Sequence, residues 1–437
     1  MDQPHTKTGN NRPSLLRHMG FWAIVAYGVG DILGAGIYAL IGKIAGIAGH
    51  YCWIAFGIAF ITASFTALSY AELGSRFPRS GGEATFCLEG FKRPWISFLV
   101  GWLVLFSGIV SMATISRAFA GYLSPMIPGV PIPVIIIAFL LLLTVINFAG
   151  IRHSSSANIL CTLIEVSGLL IIVAIGINTL MHHGGLALAP STGEKISPIL
   201  MLQAGALAFF AFIGFEDMVN VSEEVKNPET SIPAAIITSL GLASLLYIAV
   251  AIISVNVVDP KHLAASKAPL LEVVRVGAPS FPLSLFTIIA LFAVSNTSLL
   301  NFITGSRLIY GMADQGLLPR QLAKIHPSTR TPYVAILLVL AVTLGLALSG
   351  TLTFLAGTTS TLLLLVFIAV NASLLLIKKQ GRKGGKFHVP ALVPILGFLS
   401  CAGLIAFVPP HSLVTASGVA GVGIVLWLIN KGRANYS

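Results

Sequence analysis

Tyr27-Gly28-Val29-Gly30-Asp31-Ile32-Leu33-Gly34-Ala35-Gly36-Ile37-Tyr38 is the stretch that decides the fold. It interrupts the first long apolar run with four glycines and an aspartate. Glycine permits positive φ and close approach of a ligand to the backbone, so the stretch predicts a locally unwound helix. Unwinding would expose the amides of residues 33–36 at the start of the outer half-helix, a favourable site for a carboxylate. The alternative interpretation is close helix packing through small residues.

A second break is predicted in the sixth apolar run. There Gly214 is followed by Glu216 and Asp217, where an apolar helix should continue. Each broken run would open a five-span unit. Glycine-interrupted helices at matching places in two halves indicate an inverted-repeat transporter with its site at the membrane midplane. No residue-level repeat is obvious, so this symmetry is inferred from spacing alone.

The composition is that of a membrane protein. Of 437 residues, 56% are hydrophobic and 9% are charged, whereas soluble domains average about 25% charged residues. The mean hydropathy is +0.91. Soluble enzymes, nucleic-acid binders and disordered scaffolds are therefore excluded. The four cysteines lie in or beside apolar stretches without a CxxC pair, so we predict neither a disulfide framework nor a metal site, and no cofactor.

Apolar runs of about 17 residues or more predict twelve membrane spans. They lie near residues 18–42, 50–73, 94–122, 132–150, 157–180, 199–222, 233–257, 283–312, 332–349, 352–377, 390–408 and 411–430. The predicted organisation is therefore an N-terminal tail (1–17), a first five-helix repeat (18–180), a second repeat (199–377), two further helices (390–430) and a C-terminal tail (431–437).

Basic residues alternate between rich and poor connections. The rich side holds the N-terminal tail and Arg76, Arg79, Lys92, Arg93, Arg152, Lys226, Arg307, Arg320, Lys324, Arg330, Lys378, Lys379, Arg382, Lys383, Lys386, Lys431 and Arg433. The poor side holds Lys43, Lys195, Lys261, Lys267 and Arg275, with Arg117 late in the third span. Because cytoplasmic loops carry the excess of Lys and Arg, both termini are predicted in the cytoplasm. The net charge of +11 then reflects orientation in the inner (cell) membrane, with some attraction to anionic lipid, and no nucleic-acid partner is needed.

Four stretches carry a resemblance to a known family. They read GAGIY (34–38), YAELGSRFPRSGGE (70–83), FFAFIGFE (209–216) with EEVKNP (223–228), and RLIYGMAD (307–314) with GLLP (316–319). The chain resembles the amino acid-polyamine-organocation (APC) superfamily from about residue 16 to about residue 430. Within it, the chain is most similar to the bacterial amino acid permeases and the cationic amino acid transporter branch.

The resemblance implies an all-α membrane protein with a leucine-transporter-like fold. That fold has five-plus-five inverted repeats, broken helices 1 and 6 and two extra helices, and it works by alternating access. The family pattern implies that the substrate carboxylate meets the backbone at Gly34, Ala35 and Gly36. It implies that the amino group meets the carbonyls of Ile32, Phe210, Ala211 and Ile213. Phe212 or Phe215 would supply an aromatic gate, although rings at helical spacing more often pack in a core.

Glu165 departs from the family pattern. Members that dispense with sodium often carry a lysine in span five, and aligning residues 158–166 puts Glu165 there. An ionised carboxylate within the membrane costs several kcal/mol unless it is paired or protonated. Glu165 would therefore carry a proton, bind a cation, pair with a cationic substrate or side chain, or bond freed backbone in a purely structural role.

The coupling ion stays open. All ten histidines fall in tails, loops or span ends, so carboxylates would do any proton work. Sodium would use carbonyls near Gly28 and Val29 with hydroxyls such as Ser295 or Ser298, and Glu165 is a candidate further ligand.

Asp31 occupies a position that is usually uncharged in the family. Two like charges at about 4 Å repel by about 4 kcal/mol at an effective dielectric near 20, so an ionised Asp31 would oppose a carboxylate substrate. Asp31 is therefore protonated, turned away, matched to an amine substrate, or the cap of a half-helix. Either Glu216 or Asp217 pairs with Lys43 or orients the second break.

Further charges lie at the cytoplasmic ends of the spans. They are interpreted either as a gate network or as solvated loops, since surface ion pairs are usually weak. The residues concerned are Glu72, Arg76, Arg79, Glu83, Glu223, Glu224, Lys226 and Arg307.

The leading hypothesis is a secondary transporter of amino acids, coupled to protons as a symporter or exchanger. The competing hypothesis is a permease for cationic amines or polyamines, suggested by Asp31, Glu165 and Glu216 near one depth. An intramembrane enzyme lacks a catalytic motif such as HExxH or GxSxG. A nutrient sensor would need an added signalling domain, for which the predicted tails are too short.

Overall fold

The computed structural model describes residues 17, 19–78, 81–150, 155–183, 197–382 and 384–434. Within these ranges the chain forms sixteen α-helices and no strand. The first eight are α1 (Phe21–Leu33), α2 (Ala35–Ala48), α3 (Cys52–Arg76), α4 (Gly82–Phe91), α5 (Pro94–Leu123), α6 (Ile132–Phe148), α7 (Ser155–His183) and α8 (Pro198–Ala208). The others are α9 (Pro228–Val257), α10 (Pro260–Ala265), α11 (Pro269–Gly277), α12 (Leu283–Asp314), α13 (Tyr333–Ser349), α14 (Leu352–Lys379), α15 (Leu392–Ile405) and α16 (Pro410–Ala434).

The helices are those of an integral membrane protein. Eight helical segments of the described chain are long and apolar enough to cross a bilayer: Phe21–Arg76, Pro94–Leu123, Ile159–Thr179, Pro198–Val219, Pro228–Val257, Leu283–Asp314, Leu352–Lys379 and Pro410–Asn430. Three shorter apolar helices are Ile132–Phe148, Tyr333–Ser349 and Leu392–Ile405. Large apolar side chains such as Leu163 and Val414 are exposed on these helices, as expected where the solvent is lipid.

The first apolar run is broken at Gly34. Helix α1 ends at Leu33, Gly34 adopts φ −51° and ψ −131°, and α2 begins at Ala35. The chain stays helical through Gly28 and Gly30, so the unwound segment is shorter than the glycine pattern predicts. A Cβ on Gly28 would overlap Met218, and one on Gly30 would overlap Thr162, so these two glycines serve close helix packing.

The sixth apolar run is broken over a longer stretch. Helix α8 ends at Ala208 and is followed by a 3₁₀ turn, Phe209–Phe212. Ile213 is extended, Gly214 has φ +128°, and a second 3₁₀ turn spans Phe215–Val219. A φ of this size strains any residue with a side chain, which explains glycine at position 214.

Both breaks lie inside the helix bundle. Helix α1 packs against α7 and α9, and α2 packs against α8 and α10. Helix α3 packs against α9, α5 against α12, and α6 against α13. The breaks are therefore held by helices from both halves of the chain.

Candidate functional site

The two breaks meet backbone to backbone. A Cβ on Gly214 would lie 2.8 Å from the carbonyl carbon of Asp31, and one on Gly36 would lie 2.5 Å from the Cα of Ala211. A Cβ on Gly34 would overlap Thr297 of α12. Glycine is therefore required at these positions because two helices and α12 converge on one point. The sequence predicted both breaks but not this direct contact.

A small cavity lies between the breaks. Its volume is about 30 Å³, which is enough for about one or two water molecules. An amino acid needs far more space. Its walls are Asp31, Ile32, Ala35, Gly36, Ser111, Ile115, Phe210, Ala211, Ile213, Gly214, Asp217, Thr297 and Asn301. Most of the predicted backbone site lies in this wall, with Gly34 at the break beside it.

A second cavity adjoins the first. Its volume is about 50 Å³, and it shares four lining residues with the first cavity: Ser111, Ile213, Asp217 and Asn301. The polar residues of α5 and α12 therefore face both chambers, although the sequence analysis did not single them out. Asn301 Nδ2 donates to Ser111 Oγ at 3.4 Å, so these two helices are joined at the cavity wall.

The predicted gate residues Phe212 and Phe215 are both fully buried. The Phe212 ring packs against Phe56 and Tyr247, and the Phe215 ring packs against Tyr70 and Phe367. Neither is among the residues that line the small cavity. In this closed arrangement both rings belong to the surrounding core, and their gate role stays a prediction.

Tyr247 of α9 joins the two breaks. Its hydroxyl is within hydrogen-bonding distance of the Ile32 carbonyl and of the Ala211 carbonyl, the latter at 3.0 Å. These are two of the carbonyls that the family pattern assigns to the substrate amino group. The sequence analysis missed Tyr247, because one tyrosine in a long apolar helix is an ordinary core residue.

Glu216 fixes the shape of the second break. Its Oε2 accepts a hydrogen bond from the Gly214 amide at 2.8 Å, which satisfies a donor that the break has freed. The alternative pairing with Lys43 is wrong, because Lys43 Nζ donates to the Ala264 carbonyl at 2.5 Å. Glu216 is 3% exposed and therefore acts within the bundle.

Asp31 and Asp217 form a carboxyl pair across the breaks. Both residues line the small cavity, and Asn220 Nδ2 donates to Asp217 Oδ1 at 3.2 Å. Asp31 Oδ2 is buried and has no hydrogen-bond partner among the described residues.

Glu165 of α7 is fully buried against α12. Its Oε1 accepts a hydrogen bond from Asn296 Nδ2 at 3.0 Å, whereas Oε2 has no partner in the described part of the chain. Of the serines considered for sodium, Ser295 donates to the Leu291 carbonyl of its own helix. Asn296, which the sequence analysis did not name, is therefore the α12 side chain that meets Glu165.

The charges that the sequence predicts at the cytoplasmic ends of the spans concentrate on Glu72, which is fully buried. Its carboxylate accepts from Arg76 and from Lys378 Nζ, at 2.7 Å and 2.8 Å for the lysine, and from the Val389 amide at 2.8 Å. The predicted network named Glu72 and Arg76 but not Lys378. Arg79, also predicted there, lies outside the described residues.

Glu83 of α4 lies at the same end of the bundle. The Tyr70 hydroxyl donates to its Oε1 at 3.3 Å, and the side chain is 4% exposed. Burial, with a smaller contribution from the charge of Asp217, raises the pKa of Glu83 to about 8. Glu83 therefore favours its neutral form when folded and does not act as a member of a surface ion-pair network.

Comparisons with known proteins agree over nearly the whole chain. A family model described as amino acid permease matches residues 19–429. An uncharacterized transporter of Mycobacterium tuberculosis is 29% identical over 422 residues, which cover 95% of this chain and 92% of the relative. A branched-chain amino acid permease of Bacillus subtilis is 27% identical over 415 residues, 90% of this chain and 88% of its own. Human cationic amino acid transporter 4 is 30% identical over 397 residues, 84% of this chain and 60% of its own.

Proposed function

The chain belongs to the amino acid permease family, and on that premise we propose that it is a secondary active transporter that moves amino acids across the cell membrane by alternating access. As a member of that family it is a transporter and not an enzyme. The observation that carries the proposal is the direct contact of two broken helices, Gly214 against the Asp31 backbone, beside a small cavity with polar side chains in its wall. Such breaks free backbone groups at mid-membrane for a zwitterionic substrate.

The proposed fold is leucine-transporter-like with twelve spans. The segment Phe21–Arg76 has 56 residues, which at 1.5 Å per residue reach about 84 Å and require two crossings of a core about 30 Å thick. With the other long segments and the three shorter helices this gives twelve.

Matching helix lengths support the proposed repeats, 18–180 and 199–377. Helices α6 and α13 each have 17 residues, α5 and α12 have 30 and 32, and α7 and α14 have 29 and 28. Helices α15 and α16 then form the additional pair, 390–430.

We place the substrate between the breaks. Its carboxylate would bind the amides at Gly34, Ala35 and Gly36, where α2 begins. Its amino group would bind the carbonyls on the facing side, those of Ile32, Phe210, Ala211 and Ile213. Because the cavity is too small for an amino acid, substrate entry must separate the two breaks.

Coupling to protons is assigned to Glu165. It is fully buried, and one carboxylate oxygen has no partner in the described structure. Because burying an unpaired charge in the membrane is costly, the protonated form is favoured there. Asp31 and Glu216 lie on the two broken helices and complete the set of carboxyls available for charge relay.

The decisive experiment is uptake into proteoliposomes by the purified protein. Neutral, cationic and acidic amino acids are scanned with pH and sodium gradients imposed separately, and Glu165→Gln is run beside the wild type. We expect amino acid uptake driven by an inward proton gradient and lost in the variant. If uptake driven by the proton gradient survives in Glu165→Gln, Glu165 is not the coupling residue. If uptake depends on the sodium gradient alone, the coupling ion is sodium and not the proton.

A permease for cationic amines is the second candidate. The Asp31–Asp217 pair favours it, because two carboxyls at the cavity wall suit a positively charged group better than a carboxylate. Putrescine included in the same scan separates the candidates. Uptake of putrescine without uptake of any amino acid would favour the amine permease.

A further inference from the structure

The hydroxyl of Tyr247 lies where the two breaks come together. It contacts the Ile32 carbonyl of the first break and the Ala211 carbonyl of the second. Its ring is fully buried against Phe56 and Phe212, with ring centroids 5.8 Å and 5.3 Å away. Replacement by phenylalanine would keep this packing and remove only the hydroxyl.

The Ala211 carbonyl needs a donor because the local backbone does not supply one. In a continued 3₁₀ turn the amide of Gly214 would bond to this carbonyl, but that amide donates to Glu216 Oε2 instead. A buried carbonyl without a donor costs about as much as a lost hydrogen bond. Glu216 and Tyr247 therefore act together. Glu216 accepts the hydrogen bond from the Gly214 amide, and Tyr247 donates to the Ala211 carbonyl.

One hydroxyl cannot satisfy both carbonyls fully. A tyrosine has a single O–H proton, whereas two acceptors lie within its reach. An ammonium group has three N–H donors, and hydrogen bonds from a charged donor are about twice as strong as neutral ones. The Tyr247 hydroxyl is therefore a weaker donor to these carbonyls than a substrate ammonium would be.

We propose that the Tyr247 hydroxyl takes the place of the substrate amino group when no substrate is bound. It then joins the two breaks through the Ile32 and Ala211 carbonyls, and the amino group of an incoming amino acid displaces it from them. This inference rests on the proposed function, because that function brings an ammonium to these carbonyls. Tyr247 is then a positioning residue. Its hydroxyl holds the two breaks together when no substrate is bound. Ligands with an α-amino group can displace the hydroxyl, so they are favoured over ligands that lack this group.

Binding to purified full-length protein tests this, with ligand pairs that differ only in the α-amino group. The pairs are L-leucine with 4-methylpentanoate and L-arginine with 5-guanidinopentanoate. In Tyr247→Phe the carbonyls lose their competitor, so we expect the amino acid that the wild type binds to bind about threefold to tenfold more tightly. The partner without the amino group should bind with unchanged affinity.

Tyr122→Phe is the matched control. Tyr122 is also fully buried, and its hydroxyl donates to the Tyr38 carbonyl of α2 at 3.0 Å, about one helical turn after Gly34 and not to a carbonyl of either break. This variant should bind amino acids like the wild type or more weakly.

Three results would overturn the inference. Equal or weaker amino acid binding by Tyr247→Phe would mean that the hydroxyl is not displaced. Equal tightening for both members of a ligand pair would mean that the amino group is not what displaces it. Aggregation of Tyr247→Phe while Tyr122→Phe stays monodisperse would assign the hydroxyl to folding. If folded wild type binds none of the amino acids in the uptake scan, the proposed function itself fails.

Discussion

Gly214 is the residue at which side-chain volume decides whether the broken helices can meet. In Gly214→Ala the new Cβ would lie 2.8 Å from the Asp31 carbonyl carbon and 2.9 Å from its oxygen, at a φ of +128°. We expect amino acid uptake to fall to background, because the strain of about 1–3 kcal/mol must be relieved by moving one break away from the other. Uptake into proteoliposomes measures this directly.

Gly241→Ala is the control for a glycine in a membrane helix. Nothing lies within 4 Å of a Cβ built on Gly241 in α9, and alanine favours a helix over glycine by about 1 kcal/mol. This variant should transport like the wild type. Wild-type uptake by Gly214→Ala as well would show that the two breaks need not touch as they do here.

The sequence predicts the anomalies of the site better than its ordinary residues. Gly34, Gly214 and Glu216 stand out because they interrupt apolar runs, and each lies at a break. Tyr247 and Asn296 do not stand out, because their roles depend on which carbonyl or carboxylate another helix brings near them. A single sequence holds no information about such partners.

Long helices were predicted well and short ones were missed. Each of the twelve predicted apolar runs overlaps a described helix, and the run 132–150 corresponds to Ile132–Phe148. Helices α4, α10 and α11 were not predicted, because a search for membrane spans passes over helices of 6 to 10 residues. Hydrophobic length thus predicts where the chain is apolar enough to cross, and little about the connections.

One such connection, residues 380–390 between α14 and α15, is anchored by the ion pair of Glu72 with Lys378. Lys378 Nζ bonds both Glu72 oxygens and the Val389 carbonyl, and its side chain is only 18% exposed. Lys378→Met should lower the free energy of unfolding by about 1.5–3 kcal/mol, the contribution of hydrogen bonds to a charged group, because Arg76 still pairs with the buried carboxylate. A fall of several degrees in the apparent Tm in detergent would be the readout.

Lys386→Met provides the matched comparison for an exposed pair. Lys386 Nζ lies 3.6 Å from Glu229 Oε2, and the two side chains are 66% and 47% exposed. Such pairs contribute about 0–1 kcal/mol, so Tm should barely move. Equal effects of the two variants would contradict the assignment of Glu72 as the anchor.

Several ion pairs lie close together in the folded chain. Arg76 and Lys378 pair with Glu72, and Arg382 pairs with Glu89. Hydrogen bonds from Lys92 and Arg382 hold the pKa of Glu89 below its usual value, so it stays ionised at neutral pH. Four of the basic residues that the sequence assigned to the cytoplasm, Arg76, Lys92, Lys378 and Arg382, therefore pair with the same two carboxylates.

The orientation predicted from the sequence implies a labelling pattern in intact cells. Lys261, at the start of α10, and Lys379, at the end of α14, are both exposed and were assigned to opposite sides. Cys52, Cys87 and Cys401 are buried and Cys161 is partly exposed, so a Cys161→Ser parent should give little background with a membrane-impermeant maleimide. Added to that parent, Lys261→Cys should be labelled in intact cells and Lys379→Cys only after permeabilisation. The reverse pattern would place both termini outside the cell. The basic loops would then lie on the side of the membrane opposite to the one that the excess of Lys and Arg predicts.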